Sequence, residues 1–235
     1  LQSSVRLGGN GDIVFGDASF LRGYGGTLDI TGERAIRGHA RFEEIEVLPR
    51  GDVIVEGGDL NLFKSVIDSQ GLGSIRIAGD SRVTGASRVF PDDPADLRNA
   101  HIVGERGAVL EDVDLIDVSL SGDLGLEGVI DVFGSLTNDA SVTVGGPFQR
   151  LTMYGHGDAP DTFELSGSGE IVLSDENDDL RIYVANATHG ASHTIRGRGR
   201  LDTVTNEDGL INHGRIIAEG GELQINGLVT NNTNG

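Results

Sequence analysis

The chain has 235 residues and a formal net charge of -19, with 37 glycines, 5 prolines and no cysteine or tryptophan. That charge argues against a nucleic-acid partner or insertion at an anionic membrane, both of which need clustered cations. The absent cysteines exclude disulfide staples and thiolate metal sites, and glycine without a strict third-residue period excludes collagen.

From the N-terminus, short strands are predicted at Ser4–Leu7, Asp12–Phe15, Thr27–Ile30, Glu44–Leu48, Asp52–Val55 and Ser74–Ile77, each bounded by turn residues. Gly26, Gly32 and Gly38 stand six apart, with Ile30, Ile36 and Phe42 on the same step, and Gly73, Gly79 and Gly85 repeat the spacing. Gly8–Asp17 matches one shortened copy of a calcium-binding nonapeptide, but that pattern works in tandem and this copy is solitary, so it is taken as a glycine-rich corner. Arg50–Gly51–Asp52 spells an integrin-type tripeptide directly before a predicted strand, where a corner accounts for it without a receptor.

Pro91–Asp96 breaks the spacing, which predicts an excursion near 91–99 with a single helical turn at Ala95–Asn99. The period is cleanest from Leu110 to Gly146. There Gly122, Gly128 and Gly134 recur every sixth residue, as do Leu124, Ile130, Leu136 and Val142. Asp112 and Asp114 alternate with Val113 and Leu115 and are expected on the outer face, with Asp117 another solvated carboxylate. A six-residue step fits neither a 3.6-residue helix nor a hairpin array. It fits strands of one side joined by corners, where glycine tolerates positive φ and close backbones. Three sides make a turn of about 18 residues and about a dozen turns in all. The predicted class is therefore an all-β, single-stranded parallel β-helix, one β-solenoid over residues 1–235, with the nine glycines above as its structural corners.

Further excursions are predicted near 154–161 and 174–179. In the second, Asp175, Glu176, Asp178 and Asp179 crowd four carboxylates into five positions. Calcium takes six to eight oxygens in flexible geometry, so this turn is the candidate metal site; a solvated acidic turn is the plainer alternative. No other cofactor is indicated. Of the six histidines only His189 and His193 have a spacing reminiscent of a metal pair, and Gly190–Ser192 between them argues for a turn rather than a zinc-binding helix. The sequons at Asn186 and Asn231 are short enough to arise by chance.

Val118–Leu124, Gly134–Asn138, Phe163–Ile171, His193–Gly199 and Leu210–Ala218 resemble the degenerate repeats of filamentous-haemagglutinin-like and autotransporter-passenger-like proteins. The resemblance covers most of residues 110–232 and implies a right-handed helix displayed outside a bacterial cell. No apolar run approaches the roughly 18 residues of a membrane span. The start at Leu1, without methionine or a signal peptide's basic and apolar regions, is expected of a mature or excised segment. No nucleophile elbow, phosphate loop or dinucleotide fingerprint is present.

The expected role is a non-enzymatic extracellular structural and adhesive module, a stalk or filament subunit stacking end to end with itself or with further repeats. A surface glycan or a receptor on another cell is the further partner expected of such a module. The alternative is a polysaccharide-binding or polysaccharide-cleaving β-helix using surface carboxylates, which would need two of them about 5 to 10 Å apart.

Overall fold

The computed structural model describes residues 4–9, 11–16, 19–32, 34–85, 95–145, 149–155, 162–203 and 209–232. Among them there is no helix, every strand pairing is parallel, and the strands stack as a β-solenoid of about 10 turns. The chain divides into two compact units, Leu1–Val118 and Ser119–Gly235.

The first unit contains β1 (Val5–Leu7), β2 (Ile13–Phe15), β3 (Phe20–Ile30), β4 (Ile36–Pro49), β5 (Val53–Phe63) and β6 (Ser65–Asp68). It continues with β7 (Ser74–Ile77), β8 (Arg82–Gly85), β9 (Ala95–Arg98), β10 (His101–Glu111) and the start of β11 (Asp114–Glu127). Its columns of inward side chains follow from strand alternation: with the register fixed, every second residue lands on the same residue type one turn away. Leu28, Val47, Ile67, Leu97 and Leu115 form one such column, and Ile36, Val53, Ile75 and Ile102 another. All nine are buried.

The second unit contains β12 (Val129–Val144), β13 (Arg150–Tyr154), β14 (Thr162–Ser166), β15 (Glu170–Leu173) and β16 (Asp179–Tyr183). After these come β17 (Asn186–His189), β18 (Thr194–Thr203), β19 (Leu210–Asn212), β20 (Arg215–Asn226) and β21 (Val229–Asn231). β12 shows how one turn is made. Residues 129–133 pair with β13, 135–137 with β14 and 141–144 with β15, so one extended run passes along three sides. Ile130, Leu136 and Val142, six apart, head the columns of those sides.

Turns are uneven and on average longer than the sequence period suggested, which is why there are about 10 rather than a dozen. Ile36 lies beside Val53, 17 residues on, whereas Ser65 lies beside Ala95, 30 residues on. Bulges and excursions between sides supply the difference, as in the register shift between Gly38 and Ala40. Ala95–Arg98 is a strand and not the helical turn expected there, because its alternate residue Leu97 completes an aliphatic column. Residues 86–94 and 156–161, which include four of the nine residues of the excursion expected at 91–99 and most of the one at 154–161, lie outside the described residues.

Of the nine corner glycines, Gly32, Gly38, Gly122, Gly128 and Gly134 have positive φ. Gly73 and Gly85 do not, but a Cβ there would stand 2.3 Å from the Gly51 carbonyl oxygen and 1.8 Å from that of Asp112. Gly79 is similarly close to the Arg106 carbonyl, and Gly26 lies within β3. Three bulky residues, Tyr24, Glu44 and Lys64, also take left-handed φ near 50°. They succeed one another on neighbouring turns, a column of corners in which a residue other than glycine takes the left-handed conformation.

Candidate functional site

The outer face is organised by a problem of charge. Parallel turns place equivalent side chains about 4.8 Å apart, so an acidic chain would set carboxylate against carboxylate. Here the arginines are interleaved between turns. Asp12 accepts from Arg37 Nε at 2.6 Å and from the Ala35 amide at 3.2 Å, and these bonds hold its carboxyl below the ordinary range. Arg82 pairs with Glu111 at 2.7 Å. Arg196 reaches Glu170 at 2.7 Å on one side and Glu219 at 2.9 Å on the other, spanning three successive turns. Replacing Arg196 with Gln removes both pairs. Because both are partly exposed and salt-screened, the expected loss is about 1 kcal/mol at low salt, shrinking in 1 M NaCl, as read from urea unfolding.

The same bonding decides the sequence-based candidates. In Arg50–Gly51–Asp52, the Asp52 carboxylate is already engaged by the Ser74 amide at 3.0 Å, the Ser74 hydroxyl at 2.8 Å and Arg76 at 3.1 Å. Burial opposes its ionisation, but these three bonds outweigh burial and lower its pKa. The tripeptide is thus an inter-turn corner. In Gly8–Asp17, Asp12 is spent on Arg37 and Ala35, while Asn10 and Asp17 lie outside the described residues. Asp112 and Asp117 occupy positive-φ corners, and Asp114 is half-buried on β11.

The four carboxylates proposed for calcium do not converge. Asp175 accepts from the Asn177 amide at 3.0 Å and its side chain at 2.8 Å, capping its own turn. Asp178 turns inward instead, where one oxygen accepts from the Ser174 and Asp175 amides at 2.6 and 2.7 Å; burial nevertheless raises its pKa. Asp179 is buried too, but Arg200 and Arg181, at 2.9 and 2.5 Å, overcome that penalty and lower its pKa. Glu176 lines a polar groove of about 490 Å³ with Asn177, Arg200 and Glu222. Among the described residues, no group of three or more His, Asp or Glu side chains is placed to hold a metal ion.

Two features escaped the sequence reading. On the outer face of β12, β13 and β16, the rings of Phe133, Tyr154 and Tyr183 stack at centroid distances of 5.0 and 5.9 Å, nearly parallel. Their faces are turned toward one another along the stack, leaving mostly ring edges to solvent. The second lies in the lumen. Asn138 and His193 are fully buried, as is His189, and Asn212 is 6% exposed. Asn138 Nδ2 is 2.9 Å from His193 Nε2; His193 Nδ1 is 2.9 Å from His189 Nε2; His189 Nδ1 is 2.7 Å from Asn212 Oδ1. Asn212 Nδ2 continues to Asn231 Oδ1 at 2.8 Å. His189 and His193 are therefore interior partners of each other rather than a surface metal pair. Burial pulls both below the ordinary histidine value, His193 to about 4.

Comparison with protein-family models, with curated proteins and with solved structures finds no match to this chain.

Proposed function

We propose that the chain is a structural and adhesive module of a bacterial surface protein, working as a length of stalk or filament outside the cell. The observation that carries this reading is the first turn of the N-terminal unit. Among the described residues, Val5, Leu7, Ile13, Phe15, Leu28 and Ile30 line an open apolar cavity of about 440 Å³, with Phe42 also in its wall. An apolar cavity of this kind is a natural seat for the inward side chains of another parallel turn, from a copy of the chain or from further repeats. In the second unit, Ile225 and Leu228 are 46% and 51% exposed near the last strand, a second apolar patch. The likeness to haemagglutinin-like and passenger-like repeats supports an extracellular setting. The outer-face carboxylates described above are mostly spent on arginines and turn amides, which favours scaffold over glycan cleavage.

Sedimentation and electron microscopy of the chain test this. Copies carry like charge, so end-to-end assembly is expected to grow with protein concentration and with salt, as screening removes repulsion while apolar contact remains. Leu7→Lys or Leu228→Asp should abolish it. Monomers at every concentration and salt, or release of reducing sugar from a polysaccharide, would overturn the reading.

A further inference from the structure

The lumen chain admits only one arrangement of protons. Asn138 Oδ1 accepts from the Ala140 amide at 3.0 Å, and Asn138 Nδ2 also donates to the Glu170 carbonyl at 3.1 Å, so this amide cannot be flipped. Asn212 Oδ1 likewise accepts from the Gly214 amide at 3.2 Å. The directions then propagate. Asn138 Nδ2 donates to His193 Nε2, which must be bare; His193 Nδ1–H donates to His189 Nε2, also bare; His189 Nδ1–H donates to Asn212 Oδ1. Both rings are neutral, and both carry their proton on Nδ1. A proton added to His193 Nε2 would face the Asn138 amide hydrogen, and one added to His189 Nε2 would face the His193 Nδ1 hydrogen. Either addition converts a hydrogen bond into an opposition of two donors inside an apolar lumen.

We propose that this chain is an acid-released latch, which at neutral pH fastens β17–β21 onto β12–β15 through the lumen and lets those turns open when either histidine gains a proton. The His189–His193 link is local, but the links from Asn138 to His193, from His189 to Asn212 and from Asn212 to Asn231 join residues far apart in sequence. Asn138 belongs to β12, His189 to β17, His193 precedes β18 and Asn212 ends β19. Loss of one link therefore loosens the stacking of several turns together. The titratable groups facing the pair are Asp139 of β12, Glu170 of β15 and His213 between β19 and β20. Asp139 and Glu170 favour a charged His193 but do not offset its burial, while His213 disfavours charge on His189. Glu170 is itself held by Arg196 and Ser141.

The direction of the pH effect follows from proton counting. His193 takes a proton near pH 6.5 when its surroundings open but only near 4 when closed, so the open form binds more protons between those values. The latch's contribution is complete above pH 6.5 and is lost as pH falls toward 4. His189 adds in the same direction. The carboxylates paired with arginine weaken only below their ordinary range, and Asp178, with a raised pKa, acts with opposite sign. Relief of the net charge on acidification also opposes opening. Between pH 6.5 and 4 the histidines are therefore the groups that drive opening, against Asp178 and the relief of net charge, which both favour the closed form.

Hydrogen exchange of the whole chain, corrected for intrinsic rates, tests the latch. His193 alone should make strands β17–β21 about 30-fold more open at pH 5 than at pH 8, while β5–β10 show no such change. The double variant His189→Gln/His193→Gln should lose this acid response; the same response in that variant would overturn the proposal. Should the variant not fold, nitrogen NMR of the wild-type imidazoles decides. Both rings should be Nδ1–H tautomers at pH 7.5 and gain protons only together with amide opening. Protonation of either ring near pH 6.5 in a closed structure would overturn it equally. The inference needs the fold alone and is independent of the surface-module reading.

Discussion

Gly197→Ala is expected to destabilise the second unit by about 4 kcal/mol or more, the range reserved for gross steric or cavity defects. Gly197 lies where β18 leaves the side paired with β15 and bends toward the side paired with β16. Its φ is +119°, which strains any side chain, and that alone costs about 1–3 kcal/mol. A collision costs more. A Cβ at this position would stand 2.0 Å from the Leu173 carbonyl oxygen on the adjoining turn. The obstructing atom is backbone, so no rotamer change relieves it, and moving it breaks the pairing of β15 with β18. Gly220→Ala separates the two effects, because Gly220 has φ +74° but nothing within 4 Å of its Cβ position. Urea unfolding should show about 1–2 kcal/mol there. Equal losses at the two sites would mean that φ strain, and not the approach of stacked turns, makes glycine necessary at 197.

How much of this was legible beforehand depends on which residues set the spacing. Ile130, Leu136 and Val142 lie on consecutive sides of one turn, so the six-residue step visible in the sequence is the length of a side. That local quantity disclosed the fold class, and alternation within each side disclosed the buried residues. The number of residues per turn was not legible, because corners and excursions add chain without altering the pattern on either flank. Glu170 lies 29 residues after its partner Ser141, but Thr194 only 24 after Glu170. Without those offsets the lumen chain could not be read. His189 continues the column of Leu165 and is followed by Asn212, a polar interruption visible only once the register is known. The directions of the carboxylates were hidden for a related reason. Crowding Asp175, Glu176, Asp178 and Asp179 in sequence suggested convergence, but Asp175 caps its own turn, Asp178 turns inward, and the buried Asp179 is held by arginines of its own strand and the next turn.

Ile75→Ala is expected to cost about 3 kcal/mol and to loosen its own turn and both neighbours first. Ile75 is fully buried between Val53 of the turn before and Ile102 of the turn after, in the column that begins at Ile36. Removing three carbons from a globular core leaves a cavity that surrounding elements partly close. Closure along the stack is opposed here, because the hydrogen bonds of β7 with β5 and with β10 fix the spacing on both sides. Transfer free energy and residual cavity therefore both count, placing the effect in the middle of the roughly 2–5 kcal/mol seen for such truncations. Ile225→Ala offers the contrast. With Ile225 46% exposed, little apolar surface is lost and no enclosed void forms, so the cost should stay below about 1 kcal/mol. Hydrogen exchange adds the spatial test: in a structure whose turns touch only their neighbours, amides of β5, β7 and β10 should lose protection in Ile75→Ala while those of β15–β18 keep theirs. A uniform loss across all strands would show that the solenoid unfolds as one cooperative body, and nearest-neighbour stacking would then be the wrong description of what holds it together.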